Sequence, residues 1–377
     1  MKAIINANIV MPDHLIPEGT VIINDGRIVD YGRRISTDGM EIYDAEGAYL
    51  GPGLIDIHTH SDGNTFFWDD PVKAANVLLS HGVTDVLPAL YFSSDRETLI
   101  SQAETIKAAI PKAPNIFGLY MEAPYMNPKF GCNRENNPWR HPINKGDYLP
   151  LVEAIKDFAK VWVVAPEREG VEDFVKDVKA RNPAAVFSVG HSESEPQLIE
   201  ALMPYGLRLA THHTNATGTI EKYPECRSAC VDEAALYNDE IYTELICDKV
   251  GIHVAPYMLR LIKKIKGDDR IILISDAFVD HGPIPSGELY EGADDINFDF
   301  SGEIAGSKMI LDGSCRNMMV HTGASICQVF KYASTNPARL LSLTDRGSVA
   351  VGNVANLILT DAEFHVKRVM LNGQFVN

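Results

Sequence analysis

The sequence lacks a long uninterrupted run of apolar residues. None of its stretches approaches the about 18 apolar residues that are needed to cross a bilayer. The amino-terminal segment MKAIINANIVMPDH is broken by polar residues, so it does not resemble a secretory signal peptide. Cysteine is also sparse, with six residues in 377, which is typical of proteins from a reducing compartment. We therefore expect a cytoplasmic protein that does not span a membrane.

Positive charge is in short supply. Lys and Arg number 34 against 51 Asp and Glu, which gives a formal net charge of −17. Such a surface repels phosphate backbones, so we expect no nucleic-acid partner. An anionic small molecule would need a locally positive pocket. The hydrophobic fraction of 45% is ordinary for a folded chain and, at this length, is sufficient for a sizeable core.

Both ends of the chain carry β-hairpin signals. Asn24-Asp25-Gly26 separates two β-rich runs near the start, and Asn372-Gly373 separates two more near the end. Neither end is long enough to bury a core alone. We therefore expect residues 1–50 and 345–377 to combine into one small β domain, with residues 51–344 inserted as a second, larger domain.

Short β-rich runs alternate with helix-like segments through residues 51–344. The predicted runs are Leu54–His58, Thr84–Ala89, Ile116–Glu122, Val161–Glu167, Ala185–His191, Leu207–His212, Ile246–Val254 and Ile271–Asp276. Eight such β-then-α units are typical of a (β/α)₈ TIM-like barrel. A doubly wound sheet is the alternative, but no GxGxxG or P-loop sequence follows any of the runs.

Side chains of metal-ligand type lie near the ends of several predicted strands. Because barrel active sites lie at the carboxyl ends of the strands, these side chains should converge. His58 and His60 are two residues apart on one strand and can reach the same ion. The other candidate ligands are Glu122, His191 and His212. One carboxylate with four imidazoles suits one or two divalent ions, Zn²⁺ first, with Fe²⁺, Mn²⁺ or Co²⁺ as alternatives.

Asp276 ends the eighth predicted run, in the segment IILISDA. A carboxylate delivered into a metal site by an apolar strand is suited to act as the general base for a metal-activated water. The alternative is a helix N-cap, but Gly282, Pro283 and Pro285 follow closely and do not favour a helix. We therefore predict that Asp276 is catalytic.

Several of these motifs, in this order, resemble the amidohydrolase superfamily and, within it, the N-acetylglucosamine-6-phosphate deacetylases. The matching segments are GPGLIDIHTH, YMEAPYMNP, VVAPE, GHSES, ATHHTNA, KVGIHVAPYMLRL, ILISDA, IAGSKMILDGSCRNM and NPARLLSL. The resemblance extends from Gly51 to Asn372. It implies a small β-sandwich built from both chain ends, beside a barrel in which the five candidate ligands hold metal and Asp276 is the catalytic acid and base.

The resemblance also implies a set of substrate-binding residues. In the family, the sugar phosphate is held by a pair of residues that follows the last histidine ligand, by an arginine and by a further histidine. A later loop contacts the sugar. The corresponding residues here are Asn215, Ala216, Arg227, His253, Ile304, Ala305 and Gly306. The family resemblance further suggests a homodimer in which the partner subunit supplies the arginine.

Two positions depart from the family pattern. Where the family often has a histidine that polarises the acetyl carbonyl, this chain reads Gly131-Cys132-Asn133-Arg134. We assign Cys132 and Asn133 to the substrate site and keep Arg134 and His141 as alternative carbonyl donors. The aspartate of the family's DGIHV segment is replaced by Val250.

The resemblance implies metal-dependent conversion of N-acetyl-D-glucosamine 6-phosphate to D-glucosamine 6-phosphate and acetate. The substrate would thus be a phosphorylated N-acetyl amino sugar. One alternative is another amidohydrolase acting on a cyclic amide or an N-acyl amino acid, although many of these use a carboxylated lysine where this chain has Glu122. The other alternative is a non-catalytic, metal-stabilised binding protein, which predicts lost ligands or a lost catalytic acid; neither loss is seen.

Overall fold

The computed structural model describes residues 1–279 and 282–376. Strands from both chain ends form one mixed sheet: Lys2–Val10, Leu15–Asn24, Arg27–Gly32, Glu41–Asp44, Tyr49–Pro52, Leu357–Thr360, Val366–Leu371 and Gln374–Phe375. Its central strand, Lys2–Val10, pairs antiparallel with Leu15–Asn24 and parallel with Tyr49–Pro52. Both predicted hairpins are confirmed, and this sheet encloses its own apolar cluster. The exact domain boundaries stay a prediction.

The remaining large sheet is the predicted parallel barrel. Its strands, which we call barrel strands one to eight, are Leu54–Thr59, Val83–Tyr91, Leu119–Glu122, Ala159–Val164, Val186–Val189, Leu207–Ala210, Tyr242–Ile246 and Ile271–Ile274. Each pairs in parallel with the next. Two backbone hydrogen bonds join the last strand's end to the first, from Asp276 to His58 (2.9 Å) and from His60 to Ala277 (3.0 Å). The barrel is therefore closed where the predicted site lies.

Helices follow most of the barrel strands. They are Pro71–Ser80, Arg96–Ala109, Lys145–Ile155, Val171–Arg181, Pro196–Leu202, Val231–Tyr237, Pro256–Lys266, Leu311–Thr322, Ile326–Phe330 and Asn336–Leu340, with a π-helical turn at Lys331–Thr335. Their buried faces pack on the barrel and form one continuous apolar core with it. Two short hairpins project from the loops: Glu221–Tyr223 with Cys226–Arg227, and Ile296–Phe298 with Ile304–Ser307.

The seventh predicted strand is misplaced. The run Ile246–Val254 was expected, but the strand is Tyr242–Ile246 and the chain then turns away from the barrel. The carboxylate of Asp248 accepts hydrogen bonds from the backbone N–H groups of Ile252 and His253, at 3.0 and 2.8 Å. These amides therefore turn toward one side chain instead of joining a strand ladder, although the segment is rich in β-branched residues.

Within the described residues, no helix combines the length and the apolar character that a membrane span requires. The longest helix, Arg96–Ala109, has 14 residues and carries exposed charges.

Candidate metal centre and active site

Glu122 is the centre of the predicted ligand set. It ends barrel strand three, and its Oε1 atom lies 2.7 Å from Nε2 of His191 and 3.1 Å from Nε2 of His212. Its other oxygen, Oε2, lies 3.0 Å from Nε2 of His60 and 3.7 Å from Nε2 of His58. The five predicted ligands thus converge as two groups of three that share Glu122. With Asp276 they form what we call the floor cluster.

Hydrogen bonds at Nδ1, the ring nitrogen that faces away from Glu122, orient three of the histidines. Three imidazoles have an acceptor beside Nδ1: His58 a Glu244 oxygen at 3.1 Å, His60 the Ala89 carbonyl at 3.2 Å, and His212 the Asn215 carbonyl at 3.2 Å. An acceptor at Nδ1 favours the proton there and leaves the Nε2 lone pair facing Glu122. This is the tautomer that a metal-binding histidine needs.

The donors fit a divalent transition metal. Nε2 of His58 is buried and has no hydrogen-bond partner among the described residues, although it faces Glu122 and Asp276. An orphaned buried nitrogen is costly unless a ligand satisfies it. Nitrogen-rich sets with one carboxylate suit Zn²⁺, Fe²⁺, Mn²⁺ or Co²⁺ better than Mg²⁺ or Ca²⁺, which prefer oxygen ligands. Each half of the floor cluster offers three such donors, so the centre can hold one or two ions.

Asp276 is held against the ligands by the strand ends around it. Its Oδ1 atom lies 3.4 Å from Nε2 of His60 and 3.6 Å from Nε2 of His58. Its carbonyl accepts a hydrogen bond from the backbone N–H of Ser307 at 2.8 Å. Gly306 precedes that contact with φ +67°, and a Cβ there would collide with the Asp276 carbonyl oxygen. The predicted loop residue Gly306 therefore also fixes Asp276, the predicted catalytic residue.

Three members of the floor cluster adopt left-handed backbone conformations. The φ angles are 46° at His191, 28° at His212 and 44° at Asp276. Non-glycine residues in such conformations cost about 1–3 kcal/mol each and tend to occur at functional sites. The packed barrel holds the three backbones in these conformations despite that cost, and the direction of each side chain is thereby fixed.

Electrostatics inside the cluster keep the carboxylates ionised. Burial opposes ionisation of Glu122, but the hydrogen bond and charge of His191, with His212, hold the pKa of Glu122 well below its usual range. Burial likewise opposes ionisation of Asp276, yet the charge of His58 and a hydrogen bond with His60 lower its pKa. Asp276 is therefore a carboxylate, ready to accept a proton.

A cavity of about 380 Å³ opens above the floor cluster. This volume is in the range of small-molecule sites. Seven of the predicted substrate residues line it: Cys132, Asn215, Ala216, His253, Ile304, Ala305 and Gly306. The structure thus brings together most of the predicted substrate set around the predicted ligands.

Asn133 and Arg227 are not among the described residues that line this cavity. Asn133 has φ 54° and begins the turn Arg134–Asn136, so the next side chain, Arg134, faces the cavity instead. Arg227 lies on an exposed hairpin, and its guanidinium is paired with Glu233. Its side chain is 65% exposed.

Val250, the position that departs from the family pattern, lies two residues after a buried aspartate, Asp248. A carboxylate oxygen of Asp248 lies 3.1 Å from Nδ1 of His253. Burial opposes its ionisation, but His253 and the loop amides lower the pKa of Asp248 to about 2. Nε2 of His253 has no partner among the described residues, so it is available to a ligand.

Two site residues were missed from the sequence. Glu244, on barrel strand seven, is fully buried and contacts Nδ1 of His58; it was missed because the seventh run was predicted four residues too late. Tyr91 ends barrel strand two, and its hydroxyl donates to the Cys132 carbonyl at 2.9 Å. The predicted second run stopped at Ala89, although a polar side chain at a strand end is the same signal that identified the ligands.

Comparisons with known proteins agree with this geometry. The amidohydrolase family model matches residues 49–376. N-acetylglucosamine-6-phosphate deacetylase of Bacillus subtilis is 26% identical over 384 residues, covering 97% of this chain and 94% of that protein. N-acetylgalactosamine-6-phosphate deacetylase of Escherichia coli O157:H7 is 25% identical, covering 97% and 99%. The structure of N-acetylglucosamine-6-phosphate deacetylase from Thermotoga maritima matches with a TM-score of 0.82 at 25% identity, covering 100% and 99%.

Proposed function

This chain belongs to the amidohydrolase family, and we propose that it removes the acetyl group from an N-acetylhexosamine 6-phosphate, N-acetyl-D-glucosamine 6-phosphate first. The observation that carries the proposal is the floor cluster: one carboxylate shared by four imidazoles, with Asp276 beside them, beneath a cavity of sugar size. Relatives named as deacetylases of such sugars align with almost the whole chain. Glu122 occupies the position where the rival cyclic-amide hydrolases often carry a modified lysine.

The reaction follows from the positions of the side chains. A divalent cation held by the floor cluster would supply a Lewis acid that polarises the amide and lowers the pKa of water. Asp276, ionised and directed at the same point, accepts a proton from the attacking water. It then donates that proton to the departing nitrogen as the C–N bond breaks, so that acetate and the free amino sugar leave. Non-reacting contacts in the cavity hold the amide in register.

Phosphate recognition falls to the loops after barrel strands six and seven. The Asn215 amide donates to the His253 carbonyl at 2.8 Å, which joins these two loops beside the cavity. We propose that Nε2 of His253 and the backbone at Ala216 contact the phosphate. Because Arg227 lies outside its own cavity, we further propose a homodimer in which Arg227 of one copy enters the cavity of the other. Arginine offers a forked pair of donors that matches phosphate.

Mixed dimers test the exchange of Arg227. We expect Arg227→Ala to raise KM for the phosphorylated sugar by very roughly 10- to 150-fold, while changing hydrolysis of the unphosphorylated sugar little. When Arg227→Ala and Asp276→Asn proteins are unfolded and refolded together, activity should exceed that of either parent, because one site of each mixed dimer is intact. Activity no greater than the sum of the parents would contradict the exchange.

A cytoplasmic location accords with the thiols. None of the six cysteines, all of which belong to the described part of the chain, forms a disulfide. Reduced cysteines are typical of the cytosol. We propose that the protein acts there on phosphorylated sugars.

An acetate-release screen tests the proposed function. Metal-loaded protein is assayed with N-acetylglucosamine 6-phosphate, its galactosamine epimer, both unphosphorylated sugars, an N-acetyl amino acid and a cyclic amide. We expect the highest kcat/KM with one of the two sugar phosphates. Turnover confined to the amino-acid or cyclic substrate would instead favour the rival amidohydrolase, and no turnover with any substrate would favour a binding protein.

A further inference from the structure

An ion pair spans the rim of the cavity. Arg134, from the loop after barrel strand three, donates through Nη1 and Nη2 to the two carboxylate oxygens of Glu303, at 2.7 and 2.8 Å. Nη1 also donates to the Gly131 carbonyl at 3.1 Å, which fixes the fork. Glu303 comes immediately before the strand Ile304–Ser307, and the backbone N–H of Ser307 in this strand donates to the Asp276 carbonyl. Both side chains line the cavity, and they are 41% and 44% exposed.

This pair has no part in the proposed chemistry or in phosphate binding. In the proposed function, the floor cluster binds the amide, and the loops that carry Asn215 and His253 bind the phosphate. Among the described residues that line the cavity, Arg134 is the sole Lys or Arg, and Glu303 is the sole carboxylate outside the floor cluster. Apart from Arg134 as an alternative donor to the acetyl carbonyl, the pair is a strongly polar element that faces the cavity and has no assigned role toward the substrate.

The substrate has a matching feature. In a hexosamine 6-phosphate the amide is on C2 and the phosphate is on C6, so the adjacent hydroxyls on C3 and C4 lie along the edge between the two anchored ends. Each hydroxyl can both donate and accept a hydrogen bond. A fixed guanidinium beside a carboxylate offers donors and acceptors side by side, and charged partners strengthen such bonds.

We propose that Arg134 and Glu303 together bind the C3–C4 diol and set the preference between the gluco and galacto epimers. The inference rests on the proposed function and adds the residues that choose the sugar. Inversion at C4 changes the direction of one hydroxyl, so a pair that Gly131 anchors on one side of the sugar should bind one epimer better than the other. Sites built to bind a hydroxyl discriminate strongly against analogues that lack it.

The test combines substrate and protein deletions. Acetate release is measured for wild type, Arg134→Gln and Glu303→Gln, with the preferred sugar phosphate, its C4 epimer, and its 3-deoxy and 4-deoxy analogues. In wild type, removal of a recognised hydroxyl should lower kcat/KM by about 10-fold or more. In the variants the parent sugar should lose a similar factor, while the deoxy analogue loses little further, and the epimer preference should shrink. Metal content should stay that of wild type.

Glu153→Gln is the matched control. Glu153 is also 44% exposed and pairs with an arginine, Arg181, but this pair joins two helices and is not among the described residues lining the cavity. Its substitution should leave every substrate ratio unchanged. Equal losses on the parent and both deoxy sugars in the Arg134 and Glu303 variants would overturn the inference and leave the proposed function standing. Absence of acetate from all sugars with wild type would overturn both.

Discussion

The floor cluster and the ion pair Arg134–Glu303, which we call the rim of the cavity, differ in burial. On the floor, the side chains of His58 and Glu122 are 0% and 3% exposed, and each touches several polar partners. At the rim, Arg134 and Glu303 are more than two-fifths exposed and hold mainly each other. In our proposals, the chemistry that requires fixed geometry therefore lies on strand ends, whereas the contacts that choose a substrate lie on loops, where sequence can vary at little structural cost.

The expected contributions of the two regions to the free energy of unfolding also differ, with the larger contribution from the buried floor cluster. Removing one partner from a buried charged network leaves an uncompensated charge and is strongly destabilising. An exposed ion pair is worth about 0–1 kcal/mol. Changes at the metal ligands of the floor cluster should therefore alter rate, metal binding and stability together, while changes at the rim should alter substrate binding and preference with little effect on metal content or stability.

The largest loss of activity is expected from Asp276→Asn. This change keeps the shape of the side chain but removes the carboxylate that accepts the proton, so kcat should fall by about 10²–10⁴-fold. Acetate release and metal content are measured on the same sample. Near-native kcat at full metal content would remove Asp276 from the mechanism.

Glu244→Gln tests whether the floor depends on residues beyond the ligands. Glu244 orients His58 through Nδ1, and such partners typically contribute 10–100-fold to metal affinity or activity, so we expect a loss of about that size. Metal affinity is measured by competition with a chelator. Glu240→Gln, on the exposed segment before the same strand, is the control and should bind metal as wild type does. An unchanged affinity in Glu244→Gln would make Glu244 a packing residue only.

Metal binding should weaken in acid. Burial lowers the pKa of His60 and His212, but hydrogen bonds with the carboxylates, Glu122 and Asp276 at His60 and Glu122 at His212, outweigh it and leave both pKa values raised. A raised pKa means that these imidazoles hold protons to higher pH, and protons must leave before metal binds. Apparent Zn²⁺ affinity should therefore rise with pH through neutrality, about tenfold per unit for each proton released. An affinity independent of pH from 5.5 to 7.5 would contradict this.

The smallest effect is expected at the rim. Glu303→Gln removes one charge from an exposed pair, so the free energy of unfolding should change by about 1 kcal/mol or less. Urea denaturation of wild type and variant measures the difference. A decrease of several kcal/mol in the free energy of unfolding would mean that the ion pair at the rim stabilises the fold. The contrast between floor and rim would then not hold.

The floor could be predicted from the sequence because each ligand lies in a short segment at a predicted strand end. His58, His60, Glu122, His191 and His212 each follow an apolar run, and a barrel brings such ends together whatever the exact strand bounds are. Fold and ligand positions therefore required only local patterns. The assignment of their roles remains a prediction that the variants above test.

The rest depended on contacts that leave no local signal. Arg134 and Glu303 are 169 residues apart, and nothing near either one indicates the other. Glu244 was hidden because the apolar segment after it resembles a strand better than YTELI does. Asn133 was favoured by alignment with a family position, yet its left-handed backbone turns the following residue to the cavity.

The central claim is that the floor cluster hydrolyses an amide with a bound metal ion, and metal removal tests it most directly. Protein is depleted with a chelator, its metal content is verified, and acetate release from N-acetylglucosamine 6-phosphate is followed before and after Zn²⁺, Fe²⁺ or Mn²⁺ is added. We predict negligible release from the depleted protein and recovery with at least one of these ions, in proportion to the metal bound. Full activity in verified metal-free protein would contradict the account.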